Sequence, residues 1–464
     1  MTEQPLNRAF HTLTRPTPPK ARGLPLLGVL PALLTRQFDF LLEARARYGD
    51  IYTLDLGLTK LVVLNQPRHA EYVFRDNSRN YGKSGALWES VRTLVGNGLV
   101  VSEGEFWLRQ RRMMQPQFHR KRLAALTELM VEAIDRELAT WSSAAASGAP
   151  FDLPSALSRI TMKVIVRTLF GTGLSSQEAN EVSTEMAYVL DYIFKAIVTS
   201  SLPKWLPVPG ARRYERAIRK IDAILFDVIA RTRQAGDSAD NLIAMLLQMV
   251  DDETGEQMTD QQLRDEAITL FLAGYETTSV ALSWAYALLT RHPEVMAKLK
   301  AEVDAVLGDR LPTFADLPAL SYASMIVQES MRLRPPAWWL PRLAIEDDEI
   351  DGYAIPAGTN IAVLMYAIHH HPEHWENPEQ FDPERFSAER SATRHKFAWV
   401  PFGAGQRQCI GKDFALMEAP LILTMITQRY EVTAVPGRST RPRMSGTLKP
   451  QGSVIVNLAP RSAP

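Results

Sequence analysis

One cysteine occurs in 464 residues, and it stands in the run Phe402-Gly403-Ala404-Gly405-Gln406-Arg407-Gln408-Cys409-Ile410-Gly411. The thiolate form of cysteine binds a metal or attacks an electrophile, and it is favoured where amide N–H groups, a cation or a helix N-terminus point at the sulfur. All three are within reach. Arg407 is close by in the chain, Gly403, Gly405 and Gly411 allow positive φ and close approach to a flat ligand, and Asp413 to Glu418 predicts a helix opening just beyond Cys409. A buried, inert cysteine is the competing reading, against which the phenylalanine, glycines and arginine at these offsets argue.

A second constellation lies in Leu270-Phe271-Leu272-Ala273-Gly274-Tyr275-Glu276-Thr277-Thr278-Ser279, where an acid and a run of hydroxyls interrupt an apolar span. Buried without partners, a carboxylate shifts strongly upward in pKa, so such groups need water, a ligand or a proton to handle. Thr277 can return its hydroxyl to the carbonyl of Ala273 one turn back, which would bend or open the helix locally. On pattern alone, an exposed Glu276 and ordinary helix-surface threonines explain the run equally well. The element that positions these residues is a long helix from Thr259, with Gln262 as its capping-box partner, to about Arg291, before Pro293. At the α-helical rise it spans about 50 Å. Glu329 and Arg332 share one face of another helix, a spacing that by default makes a solvated pair worth roughly a few tenths of a kcal/mol.

Phe402, Gly405, Arg407, Cys409 and Gly411 match the haem-binding loop of the cytochrome P450 family, which the chain resembles over nearly its whole length. The resemblance implies haem b with Cys409 as the axial iron ligand, Phe402 packed beside it and Arg407 reaching a haem propionate. A thiolate in that position pushes electron density onto iron and favours O–O cleavage. Ala273-Gly274-x-Glu276-Thr277-Thr278 resembles the family's oxygen-activation motif, in which small residues leave room over the haem. Thr277 would order a proton chain and Glu276 would feed it. Trp107 and Arg111 match the family's Trp-x-x-x-Arg element, and Arg342 matches its propionate-binding arginine. Glu329 and Arg332, completed by Arg385 in Pro383-Glu384-Arg385-Phe386, resemble its core lock, a structural device that holds the haem-binding loop.

By the same resemblance the substrate pocket is lined by Leu87 and Trp88, by Ala273 and Thr277, by Trp338 and Trp339, and by Leu448. These residues offer no obvious charge, so a hydrophobic molecule held by shape, terpenoid or fatty-acid-like, is expected. The region from about 177 to 219, turning at Pro203, Pro207, Pro209 and Gly210, is expected to form a lid. The activity implied is that of a haem monooxygenase that inserts one oxygen atom of O2 into a C–H or C=C bond. Its alternatives are a peroxide-driven or oxygen-independent haem enzyme, and a noncatalytic haem-binding sensor of the same fold.

The sequence shows no Gly-x-Gly-x-x-Gly fingerprint, so electrons are expected from a separate ferredoxin with its reductase or from a flavodoxin-type donor. The basic tract from Arg109 to Arg122 reads first as a solvated helix face and second, with Lys412, as a docking site for that donor. The cluster His369, His370, His371 and His374 invites a metal reading. Pro372 and the lack of a partnered carboxylate arrangement argue against it, and a histidine resembling His369 occupies a structural turn in the family.

Lys plus Arg equals Asp plus Glu at 52 each and 46% of residues are hydrophobic, which gives no reason to expect nucleic acid. A single cysteine closes no intramolecular disulfide and suits a reducing cytoplasm. The apolar stretch Leu24 to Leu34 is short of the ~20 residues of a membrane helix and is broken by Pro25, Gly28 and Pro31, so no membrane anchor is expected. Helical periodicity dominates from about Glu105 to Met331, with short strands at about 51–65 and 340–363. The fold expected is mainly α: a large helical body and a smaller β-rich region in one catalytic domain over 1–464, monomeric and without a fused reductase.

Overall fold

A computed structural model describes residues 15–57, 59–171, 173–199, 209–235, 241–438 and 440–461. Its axis is the helix Asp260–Leu289, opened by the capping box foreseen: the Thr259 hydroxyl accepts from Gln262 N, and Gln262 Oε1 accepts from Thr259 N. Most of its residues are buried, because other helices pack around it. The helix Leu153–Phe170 runs against it so closely that a Cβ on Gly274 would lie 2.6 Å from Ile165 Cδ1. Gly274 thus lets two helices touch. On another side lies Ser321–Leu333, whose Ser330 hydroxyl donates to the Ala281 carbonyl.

Strands from distant parts of the chain form one five-stranded sheet in the order Ile51–Asp55, Lys60–Leu64, Asn360–Val363, Leu340–Ala344 and Tyr81–Gly82. Lys60–Leu64 pairs in parallel with Asn360–Val363, and the other pairs are antiparallel. Both regions expected to be strands therefore meet. The helix Leu30–Tyr48 and a three-stranded sheet of Phe151–Asp152, Ile455–Pro460 and Tyr430–Ala434 were not anticipated. The two-residue strand Phe151–Asp152 is too short to show a period-two pattern.

The expected lid region contains the helices Ser176–Thr199 and Ala211–Ala235. Pro203 and Pro207 lie outside the described residues, while Gly210 has φ 99° and its carbonyl accepts from Tyr188 Oη at 3.1 Å. No helix among the described residues is long and apolar enough to cross a membrane.

Candidate active site

Cys409 sits directly ahead of the helix Lys412–Arg429, with its amide donating to the Phe402 carbonyl at 2.9 Å. That bond closes the loop. Gly405, at φ 66°, is required here, because a Cβ would lie 1.8 Å from the Phe74 carbonyl oxygen. Gly411 departs from expectation: its φ is −84°, and its role is to present its amide to the sulfur. The thiol also departs. Burial pushes it up, and the Gly411 N–H and the Arg111 guanidinium pull the other way without prevailing. Protein surrounds Cys409 on most sides, yet its side chain remains accessible, so it faces an internal cleft. A thiol in this setting ionises by binding a metal.

Four cations gather around that cleft. Arg407 stacks on the Trp107 ring at 3.9 Å and donates to the Ser102 carbonyl. Arg111 donates to the Gln408 carbonyl at 2.8 Å, Arg342 to the Pro341 carbonyl, and Lys83 to the Val100 carbonyl at 2.6 Å. None of the four forms a salt bridge among the described residues, and Glu103, which accepts from Lys83 N, is the one carboxylate whose charge is felt by Lys83, Arg342 and Arg407. Burial lowers all of them, Arg342 and Arg407 to about 10, and in Lys83 and Arg342 the neighbouring arginines add to the effect. A cluster of desolvated like charges is costly unless anions neutralise it. Lys83 was missed in the sequence, where a lysine between Gly82 and Ser84 carries no periodic signal.

On the central helix Ala273 is exposed, an exception within a buried element, and Thr277 lies one turn on. The Thr277 hydroxyl donates to the Ala273 carbonyl at 2.6 Å. The helix nevertheless continues unbroken, since the hydroxyl joins a carbonyl that stays within the α-helical ladder. Glu276 is neither exposed nor alone: Lys449 Nζ lies 2.8 Å from Oε1, and Thr447 Oγ1 donates to the same oxygen at 3.0 Å.

The pair Glu329–Arg332 is fully buried, not a solvated surface pair. Arg332 donates to both Glu329 oxygens, at 2.7 and 2.8 Å, and to the carbonyls of His369, Pro378 and Gln380. Arg385 Nε approaches Glu329 at 3.5 Å. His369 relays this order, because its Nε2 accepts from Val400 N at 3.0 Å at the start of the cysteine loop.

The expected pocket residues divide. The Leu87 side chain lies outside the described residues. Trp88 is buried beneath the Lys83 ammonium, and Trp339 is half-buried. Trp338 is anchored in the core, its indole N–H donating to the Ser445 carbonyl at 2.9 Å and its ring against Phe38. Leu448 is fully buried, and its carbonyl accepts from Trp284 Nε1. In the basic tract two arginines are paired at the surface. Arg109 pairs with Glu256, and Arg112 with Asp251 and Glu253. The Arg120 and Lys121 side chains lie outside the described residues.

A loop-borne cysteine before a helix, set among buried and half-buried cations, has the donor set of the haem-thiolate class of proteins. The family model for Cytochrome P450 matches residues 18–458. The chain is 36% identical to a Cyclooctat-9-en-7-ol 5-monooxygenase of Streptomyces melanosporofaciens, over 89% of each chain. It is 32% identical to a Pentalenene oxygenase of Streptomyces avermitilis, over 93% of this chain and 94% of that one. The crystal structure of the cytochrome P450DA heme domain superposes with a TM-score of 0.88 at 27% identity, covering 97% of this chain and 99% of that one. The chain belongs to the cytochrome P450 family and is a monooxygenase of that family. Its residues fit a haem, whose two carboxylates would offset the excess of cations over Glu103 around Cys409.

Proposed function

We propose that this monooxygenase oxidises a hydrophobic terpenoid, drawing electrons from a separate ferredoxin or flavodoxin-type donor. The observation that carries the reading is an accessible cysteine beside four buried or half-buried cations, three of which share one nearby carboxylate, Glu103, and none of which forms a salt bridge among the described residues. Terpenoid is preferred over fatty acid because two similar proteins bear the names Cyclooctat-9-en-7-ol 5-monooxygenase and Pentalenene oxygenase.

Cys409 would ligate the iron, and Arg111, Arg342, Arg407 and Lys83 would hold the propionates by charge-assisted hydrogen bonds. The haem, when bound, supplies O2 activation and oxygen insertion. Gly411 N–H tempers the charge on the sulfur. Ala273 gives an open step on the central helix, and the Thr277 hydroxyl, held by the Ala273 carbonyl, has its lone pairs free to accept a proton donor from the cleft side. Glu276 would exchange protons with solvent from its place between Thr447 and Lys449.

Two measurements test this. The reduced protein under carbon monoxide should show the long-wavelength Soret band of thiolate ligation and lose it in Cys409→His; an imidazole-type band in the wild type overturns the ligand assignment. Cyclic terpene hydrocarbons and alcohols should shift the optical spin state and be oxygenated with a surrogate reductase. A shift by fatty acids alone overturns the terpenoid reading.

A further inference from the structure

Away from the cysteine cleft, the turn after the helix Met365–His369 brings His371, Glu373 and His374 together so that one ligand atom from each lies within 4.8 Å of the others. Pro372 shapes this turn and does not prevent convergence. The carboxylates that the sequence had not revealed come from Glu373 itself and from Asp50, just ahead of the strand Ile51–Asp55. Asp50 Oδ1 lies 3.0 Å from His371 Nε2. The amide of Gln66 sits at the centre. Its nitrogen is 2.7 Å from Asp50 Oδ2, 2.9 Å from His371 Nε2 and 3.1 Å from Glu373 Oε2, while its oxygen is 2.8 Å from His374 Nε2.

One contact in this cluster is strained. The two hydrogens of the Gln66 amide nitrogen are taken up by Asp50 and Glu373, which leaves that nitrogen 2.9 Å from His371 Nε2. His371 Nε2 faces a donor in Gln66 and an acceptor in Asp50 and can serve only one, whichever tautomer it takes. Reversing the amide puts its oxygen against two carboxylates. A cation in the place of the Gln66 amide nitrogen relieves that contact, because the imidazoles and carboxylates around it can turn their lone pairs toward it.

We propose that His371, His374, Glu373 and Asp50 form a binding site for a divalent transition ion of the Zn2+ type. Two imidazoles and two carboxylates are a borderline N/O donor set, suited to zinc and poorly suited to calcium or magnesium. Gln66 moves aside to hydrogen-bond the bound carboxylates, the supporting role that outer partners play around metals. Metal on Nε2 puts the ring proton of His371 on Nδ1, so the weak 3.3 Å contact from Glu373 N–H opens as Glu373 turns inward. The ion is structural. It ties the start of the first strand to the turn whose His369 holds Val400, and so braces the cysteine loop from behind.

The test uses tag-free, haem-loaded protein stripped of metals and titrated with Zn2+ against a chromogenic chelator, with the unfolding midpoint followed in parallel. One equivalent should bind and raise the midpoint, EDTA should reverse the rise, and the Soret band should not move. His374→Ala and Glu373→Gln, both at accessible positions, should weaken binding by about tenfold or more and abolish the rise. His395→Ala, on a neighbouring turn, should bind as the wild type does. Absence of stoichiometric Zn2+, or equal affinity in the wild type and both ligand variants, overturns the proposal.

Discussion

Lys449 Nζ lies 2.8 Å from Glu276 Oε1, joining the C-terminal hairpin to the midpoint of the central helix. The pair is mostly shielded, with side-chain exposures of 33% and 14%, and Thr447 reinforces it. Its coupling should therefore exceed that of a surface pair. A double-mutant cycle of Glu276→Gln and Lys449→Met, read by urea unfolding, should give about 1 kcal/mol that persists in salt. Turnover separates a proton role from a structural one. Glu276→Gln should lower the share of consumed electrons that reaches product, and Lys449→Met should do so less. Equal, small effects from both would leave Glu276 as a tether only.

Thr277→Ala removes the hydroxyl held by the Ala273 carbonyl while leaving the helix intact. Electron consumption should continue, but hydrogen peroxide should replace most of the oxygenated product, and Thr277→Ser should restore it. The check is the ratio of product to reducing equivalents consumed. A ratio unchanged in Thr277→Ala removes the residue from the proton path.

What could be read in advance, and what could not, follows range along the chain. Gly405 carries its meaning within one turn of backbone, and the Thr259–Gln262 box within one helical turn, so spacing sufficed. Lys83, Thr447 and Lys449 acquire theirs only when the chain folds back, and single residues in irregular segments have no period to betray them. The settings of Trp338 and Leu448 were out of reach for a related reason. Apolar type was legible, but whether an apolar side chain faces a cleft or the core depends on partners such as Phe38, Ser445 and Trp284. The same blindness hid the carboxylates beside His371.

Glu329→Ala should be among the most damaging single changes. It leaves the Arg332 guanidinium buried without its counter-charge, a loss of about 3–5 kcal/mol for a pair of this kind. The order that passes from Arg332 through the His369 carbonyl to Val400 should fail with it. Haem occupancy, measured as the ratio of Soret to protein absorbance, should fall sharply. Full occupancy with wild-type stability would show that the lock does not hold the loop.

Two buried acids set a pH dependence. Burial pushes Glu266, aided by Asp265 and opposed by Leu99 N–H, up to about 8, and it pushes Glu418 to about 8 against a hydrogen bond from Thr278. In the unfolded chain both return to near 4.5. Between these values the folded state holds more protons, so stability is full below the unfolded value and declines as pH rises toward 8. The decline is at most about 1.4 kcal/mol per pH unit for each group. Below about pH 6.5 the buried His369 and His370, held neutral by desolvation, add the opposite slope, so urea unfolding from about pH 7 to about pH 8.5 should show this fall, and Glu266→Gln should reduce it. A stability that rises with pH across the window would reverse the assignment.

The electron donor should meet the chain beside the cysteine loop, away from the arginine tract. A hollow of about 300 Å³ lies against that loop, bounded by Phe402, Gly405, Gln408, Lys396 and Lys412. Arg109 and Arg112 are already neutralised by Glu256, Asp251 and Glu253, so they add little long-range field. Lys396 and Lys412 make no ion pair among the described residues. Reduction by an acidic ferredoxin should therefore slow as salt rises through the range where the Debye length shortens to about 8 Å and below. Lys396→Glu with Lys412→Glu should slow it at low salt by about tenfold and flatten the salt profile, because both act on encounter. Arg109→Glu should leave that profile in place. Stopped-flow reduction at several ionic strengths decides: a flat profile in the wild type, or a slope carried by Arg109, would move the docking surface elsewhere.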